Sequence, residues 1–334
     1  MAEISWILIA VIVLSLAFDF VNGFHDAANA IATVVSTRTL SPRKAVTMAA
    51  CLDFTGAFVF TGVAHTISSG LVTHEAMDNQ ALILAAIMGA ICWNLLTWYW
   101  GLPASSSHAL IGGLVGVAMA RIGWKGVIWG GVVDRVILPG LISPLIGLVC
   151  GYLVMLGLYW LLRNAKPSVG NKFRIAQIFS SAFMAFSHGA NDAQKVMGII
   201  TLALYTAHVQ STVEVHWLTK LVCAAAIASG TSCGGWRIVK TIGSKVVKLQ
   251  PINGFAADTT SSCILITTAA LGMPISTTHV ITSVIMGVGA VKRLKAVRWS
   301  VGKSIIFAWT FTMPAAAVMS ALAYYVMRLF VPGI

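Results

Sequence analysis

NGFHDAANAIA (Asn22 to Ala32) interrupts an apolar run that begins at Ile4. A carboxylate at hydrocarbon depth costs about 2.5–3.5 kcal/mol on insertion scales, so an Asp here marks a functional site. The composition around it fixes the setting. The 334-residue chain is 58% hydrophobic and 10% charged, too little polar surface to cover a soluble globule of that size. Apolar stretches long enough to cross a core of about 30 Å recur from Ile4 to Phe330, with no soluble domain between them. The expected class is an all-α polytopic membrane protein, partnered by the lipid bilayer.

The net charge of +12 raises nucleic acid as a partner. The basic residues sit instead in short loops such as RTLSPRK (Arg38 to Lys44) and VKRLKAVR (Val291 to Arg298), which is the positive-inside pattern and excludes that class. Cys51, Cys92, Cys150, Cys223, Cys233 and Cys263 are scattered through apolar segments without a CxxC spacing, so neither a metal site nor a disulfide framework is assigned. No cofactor is assigned. AANA (Ala27 to Ala30) mimics a signal-cleavage site, but no Lys or Arg precedes the apolar run, so it reads as a retained span.

The opening stretch has a second copy. GFHDAANA (Gly23 to Ala30) aligns with GANDAQKV (Gly189 to Val196), and GLPASSSHALIGGLVGV (Gly101 to Val117) aligns with GMPISTTHVITSVIMGV (Gly272 to Val288). Between them VAHTISSGLV (Val63 to Val72) parallels IVKTIGSKVV (Ile238 to Val247). Three matches in one order imply a duplication, residues 1–162 and 175–334, joined by RNAKPSVGNKFR at 163–174.

Charge sets orientation. The loop STRTLSPRK is basic while its counterpart TAHVQSTVEVHW has no Lys or Arg; SSGLVTHEAMDNQ carries only acids while GSKVVKLQPIN carries Lys245 and Lys248. Equivalent loops therefore face opposite sides, the pattern of inverted-topology repeats. This places the joint in the cytoplasm and both termini outside, with about five crossings per half and 10–12 membrane segments in all. Arg121 and Lys125 fall on the wrong side in this scheme. Broken helices are expected at NGFHD, at SHGAND (Ser187 to Asp192) and at Pro139 with Pro144.

Such repeats bring half-helix ends together at mid-bilayer. PASSSH and PISTTH each read as a helix N-terminus, a Pro and then a hydroxyl run. Free N–H groups, dipole and hydroxyls make an anion site, with Ser105, Ser106, Ser107, Ser276, Thr277 and Thr278 as candidates. The acids Asp26 and Asp192, with Asn29, Asn191 and Lys195 nearby, suit a coupling proton or sodium ion. A carboxylate can also accept the proton of a hydrogen-bearing oxyanion, which favours phosphate over sulfate. An Asp26–Lys195 ion pair is the structural alternative. His108 and His279 are candidate proton carriers, or donors to helix carbonyls.

These motifs resemble the inorganic phosphate transporter (PiT) family over essentially the whole chain. The family carries a GANDVANA-type motif in each half. GFHDAANA keeps Gly23, Asp26, Asn29 and Ala30 but has Phe24 and His25 where Ala and Asn are usual, and GANDAQKV has Lys195 at the later Asn. The resemblance implies a homodimeric secondary transporter of inorganic phosphate in the bacterial inner membrane, not an enzyme. In it Asp26, Asn29, Asp192 and the two hydroxyl triplets line the substrate and cation sites. SHGANDAQK is similar to the bacterial low-affinity branch, which implies coupling to protons and phosphate carried as a neutral complex with a divalent metal.

A sodium-coupled phosphate or sulfate permease is the near alternative and an ion channel the distant one. An intramembrane hydrolase using Ser107 and His108 fails on geometry, because adjacent helical residues point about 100° apart.

Overall fold

The computed structural model describes residues 5–166 and 168–330. Ile4, Pro167 of the joint and the extreme termini lie outside the described residues. Among the described residues the chain is all-α, with one isolated bridge between Val72 and Val127. Twelve helices follow one another: α1 Trp6–Ser36, α2 Pro42–Gly56, α3 Gly62–Ser69, α4 Gln80–Trp100, α5 Ser106–Ile122 and α6 Trp129–Leu161, then α7 Val169–Thr206, α8 Trp217–Cys233, α9 Trp236–Lys240, α10 Pro251–Ala270, α11 Thr277–Ala290 and α12 Trp299–Arg328. A π turn at Val133–Ile137 lies within α6, and another at Thr241–Val246 follows α9. The order of long and short elements in α1–α6 recurs in α7–α12.

Local chemistry explains the ends. Ser5 and Asn79 cap α1 and α4 through their side chains, and α4 and α10 are closed off near Gly101 and Gly272 at φ 66° and 68°, a conformation that glycine adopts without strain. Ser105 and Ser276 each accept the backbone N–H three residues on, starting α5 and α11. Pro139 lies just after the π turn of α6, where the wider ladder absorbs its missing donor.

α1 and α7 run unbroken through NGFHD and SHGAND, where the sequence suggests breaks. Their glycines serve packing instead. A Cβ on Gly23 would lie 2.2 Å from the Ile227 carbonyl oxygen of α8, and one on Gly189 would lie 2.1 Å from the Asp53 carbonyl oxygen of α2. Gly230 of α8 and Gly56 of α2 return the contact, against Phe20 of α1 and Phe186 of α7. The interruptions fall between α2 and α3 and between α8 and α9.

Packing is reciprocal. α1 lies against α8 and α7 against α2; α5 lies against α12 and α11 against α6. Six helices, α1, α4, α6, α7, α10 and α12, have 20 or more residues, enough for about 30 Å of rise. α6 and α12 turn rows of large apolar side chains outward, including Leu141, Leu145, Phe307 and Leu322. This is what a helix facing lipid requires.

Candidate functional site

α1 and α7 meet antiparallel along their length. Thr37 and Thr39 donate to Gln177 at 2.9 and 2.7 Å, Ser181 donates to the Ala30 carbonyl at 3.0 Å, and Asn22 donates to Asp192 at 3.5 Å. The crossing sets the two copies of the motif side by side. Asn22, Asp26, Asn29 and Thr33 follow helical spacing along one face of α1; His188, Asp192 and Lys195 do so on α7. None of these seven is more than 3% exposed. Asp26 sits ten residues, about 15 Å of helix, before Ser36, half the thickness of a hydrocarbon core.

The tip of α11 closes the gap between the two acids. Thr278 donates to Asp26 at 3.2 Å and Thr277 to Asp192 at 3.4 Å, while the Asn29 amide donates to the Thr278 hydroxyl at 3.0 Å and the Thr277 hydroxyl at 3.2 Å. On one side the chain runs on through His25, 2.8 Å from Asp26 and 3.2 Å from Thr97. On the other, His188 Nε2 stands 3.6 Å from Asp192, while His188 Nδ1 is 2.9 Å from Asp53, which Thr231 also contacts. The result is a nearly continuous run of exchangeable groups from Thr97 to Thr231.

The hydroxyl triplets divide by role. Ser105 and Ser276 use their oxygens to cap their own helices, Ser107 donates to the Ile275 carbonyl at 3.2 Å, and Thr277 and Thr278 hold the acids. Ser106 Oγ, Asn29 Oδ1 and both polar atoms of the Asn191 amide are buried without a partner. Ser106 Oγ and Asn191 Nδ2 can donate to an oxyanion, and the two amide oxygens can accept the protons of a hydrogen-bearing one; each such bond relieves an unsatisfied buried polar group that costs about 1–3 kcal/mol.

Lys195 pairs with Asp192 at 2.6 Å, one helical turn away, rather than with Asp26. Asp26, His188 and Asp192 each bring one ligand atom within 4.8 Å of the others, a spacing that a cation could bridge. Lys195 supplies a positive charge there already. His108 and His279 face each other with ring centroids 4.8 Å apart, and His279 lies 4.2 Å from the Trp309 ring; no hydrogen bond joins either ring to the carboxylate chain among the described residues.

Three charges outside the cluster have settled partners. Asp258 accepts from Thr33 at 2.8 Å, Arg135 donates to Thr66, and Arg121 grips Asp78 through both terminal nitrogens. The Arg121–Asp78 pair lies at the chain's surface, which accommodates the basic residue that the charge pattern misplaces.

Sequence reasoning overlooked Asp53, Asp19 and Asn22 and assigned no role to His25 or His188. Asp19 is completely buried with both oxygens unpartnered. One signal was available: Asp19, Asn22 and Asp26 are three and four residues apart, one face of one helix. Nothing local could attach Asp53, which arrives from α2.

The model of the "Phosphate transporter family" matches residues 22–320. A Bacillus subtilis protein named "Probable low-affinity inorganic phosphate transporter" is 43% identical over 96% of this chain and 97% of its own length. A Rhizobium meliloti protein of the same name is 47% identical, covering 96% of each. A solved structure titled "The sodium-dependent phosphate transporter" superposes with a TM-score of 0.88 at 27% identity, over 98% of this chain and 100% of that one.

Proposed function

The chain belongs to the phosphate transporter family, and on that premise we propose that it imports inorganic phosphate by symport with protons. It is a multi-pass membrane protein and a phosphate transporter, not an enzyme. The finer reading rests on one observation, the charge of the buried cluster. Among the described residues, the cations set within the buried cluster of Asp19, Asp26, Asp53 and Asp192 are Lys195, His25 and His188. Even with both imidazoles protonated, the carboxylates outnumber the cations. An anion cannot join an excess of buried negative charge unless positive charge enters with it. That is thermodynamic coupling: each bound species stabilises the other.

Phosphate sits between the tips of α5 and α11, taking hydrogen bonds from Ser106, Asn191 and the free N–H groups of the first helical turns. Its own protons point at Asp26 and Asp192. Protons on the carboxylates, relayed through His25 and His188, supply the coupling charge. The Lys195 ammonium occupies the position beside Asp192 that a sodium ion would need, so sodium coupling is the second reading, favoured by the sodium-dependent structural relative. A neutral complex with a divalent metal is a form in which phosphate crosses without adding charge. Two halves of opposite orientation, 1–162 and 175–334, fit the antiparallel α1–α7 crossing and the exchanged contacts. With the 163–174 joint in the cytoplasm, both termini lie outside the bacterial inner membrane. The protein works as a homodimer, as the family resemblance implies.

Uptake into proteoliposomes, with pH, sodium and magnesium varied one at a time, tests this. An inward proton gradient drives phosphate accumulation in sodium-free buffer. Accumulation that requires sodium and ignores the proton gradient overturns the coupling, and sulfate uptake untouched by excess phosphate overturns the substrate.

A further inference from the structure

The first turns of α5 and α11 also form the floor of a cavity. It has a volume of about 570 Å³ and lies between α6 and α12, behind α5 and α11. His108 and His279, the matched histidines of the two duplicated motifs, project into it. Its walls are apolar and include the internal prolines of both long helices, Pro144 and Pro314, together with Trp309. Rim residues Leu141 and Leu145 are each 66% exposed and Ile306 is 51% exposed, so the opening faces lipid rather than water.

The imidazoles are the anomaly. His108 is 8% and His279 2% exposed, and His108 Nε2 and both His279 nitrogens have no hydrogen-bond partner. The Gly140 backbone faces the His279 ring but lies outside hydrogen-bond geometry. Buried polar groups are retained when something satisfies them, and the volume falls in the range of about 300–1,000 Å³ typical of small-molecule sites.

Three properties define the occupant. It is lipid-soluble, because its entrance is in the bilayer. Its polar end is uncharged, because that end must reach the depth of the helix tips, where a phosphodiester headgroup does not go. It both donates and accepts a hydrogen bond, because two neutral imidazoles present N–H donors and bare nitrogen acceptors together. We propose that the cavity binds a long-chain fatty acid in its undissociated form, the carboxylic acid group bridging His108 and His279 and the acyl chain running out between α6 and α12.

The test uses the whole protein in nanodiscs titrated with dibromostearic acid, whose bromines quench tryptophan on contact. Saturable quenching is expected, absent from Trp309→Phe and displaced by unbrominated stearic acid. The pair His108→Leu with His279→Leu keeps the apolar walls and removes the head's partners, so half-saturation rises about tenfold or more. Thr310→Phe fills the cavity wall without touching the phosphate site and abolishes the quenching. If brominated phospholipid quenches Trp309 equally and stearic acid does not compete, bulk acyl chains fill the space and the proposal is wrong. If no brominated species quenches Trp309, the cavity is closed or covered by a second copy of the chain, and the proposal is equally overturned.

Discussion

Asp192→Asn separates the structural from the transport role of the buried ion pair. In the wild type the Lys195 ammonium is 2.6 Å from Asp192 Oδ1 and both residues are 0% exposed. The substitution leaves a fully buried ammonium facing a neutral amide. Breaking one side of a buried pair costs about 3–5 kcal/mol, whereas replacing both partners with neutral groups of similar size is often close to neutral. His188 retains its 2.9 Å contact with Asp53, and the longer contacts of Asp192 with Asn22, Thr277 and His188 Nε2 are to groups that an amide can also engage, so the main loss falls on Lys195. Asp192→Asn therefore lowers the thermal midpoint of the purified protein by several degrees, and Asp192→Asn with Lys195→Met recovers most of it. A double-mutant cycle on thermal unfolding gives a coupling of about 3 kcal/mol or more. Neither variant accumulates phosphate, because both lack the carboxylate. A single variant as stable as wild type would show that the pair is solvated, and transport by the double variant would show that Asp192 carries no coupling proton.

Three further outcomes are expected. Ser106→Ala with Thr277→Ala removes two hydroxyls from the helix tips and raises the half-saturation concentration for phosphate about tenfold, with abundance unchanged; unaltered kinetics would move the anion elsewhere. Gly23→Val drives a side chain into the Ile227 carbonyl and prevents the α1–α8 contact, so little folded protein is recovered, while Gly170→Val, with open space around it, serves as the tolerated control on detergent-extracted yield. Asp19→Asn disturbs no hydrogen bond but reduces the negative excess of the cluster. Phosphate counterflow persists while proton-driven accumulation falls, and equal loss of both would make Asp19 a packing residue.

The sequence alone determined the class and displayed the repeated motifs together with most of the polar groups of the candidate site. Bilayer thickness imposes a length and apolarity that composition reveals directly, and a duplicated motif is visible because its copies keep the same spacing. Asp26, Asp192, Asn29 and the Ser and Thr runs were legible because polar groups in apolar segments are costly and therefore conspicuous. Tertiary structure decided which of them touch. The glycines of NGFHD and SHGAND look the same in sequence whether they break a helix or admit a neighbour; only the 2 Å clash with α8 and α2 selects the second. Lys195 has two acids within plausible reach, and helical periodicity gives it Asp192. Asp53 and Thr231 join the site from α2 and α8, and His108 and His279 turn away from it into a separate cavity. Apart from the Lys195–Asp192 pairing, which lies within one helix, those facts arise from long-range packing between elements far apart in the chain, to which the local periodicity of a sequence is blind.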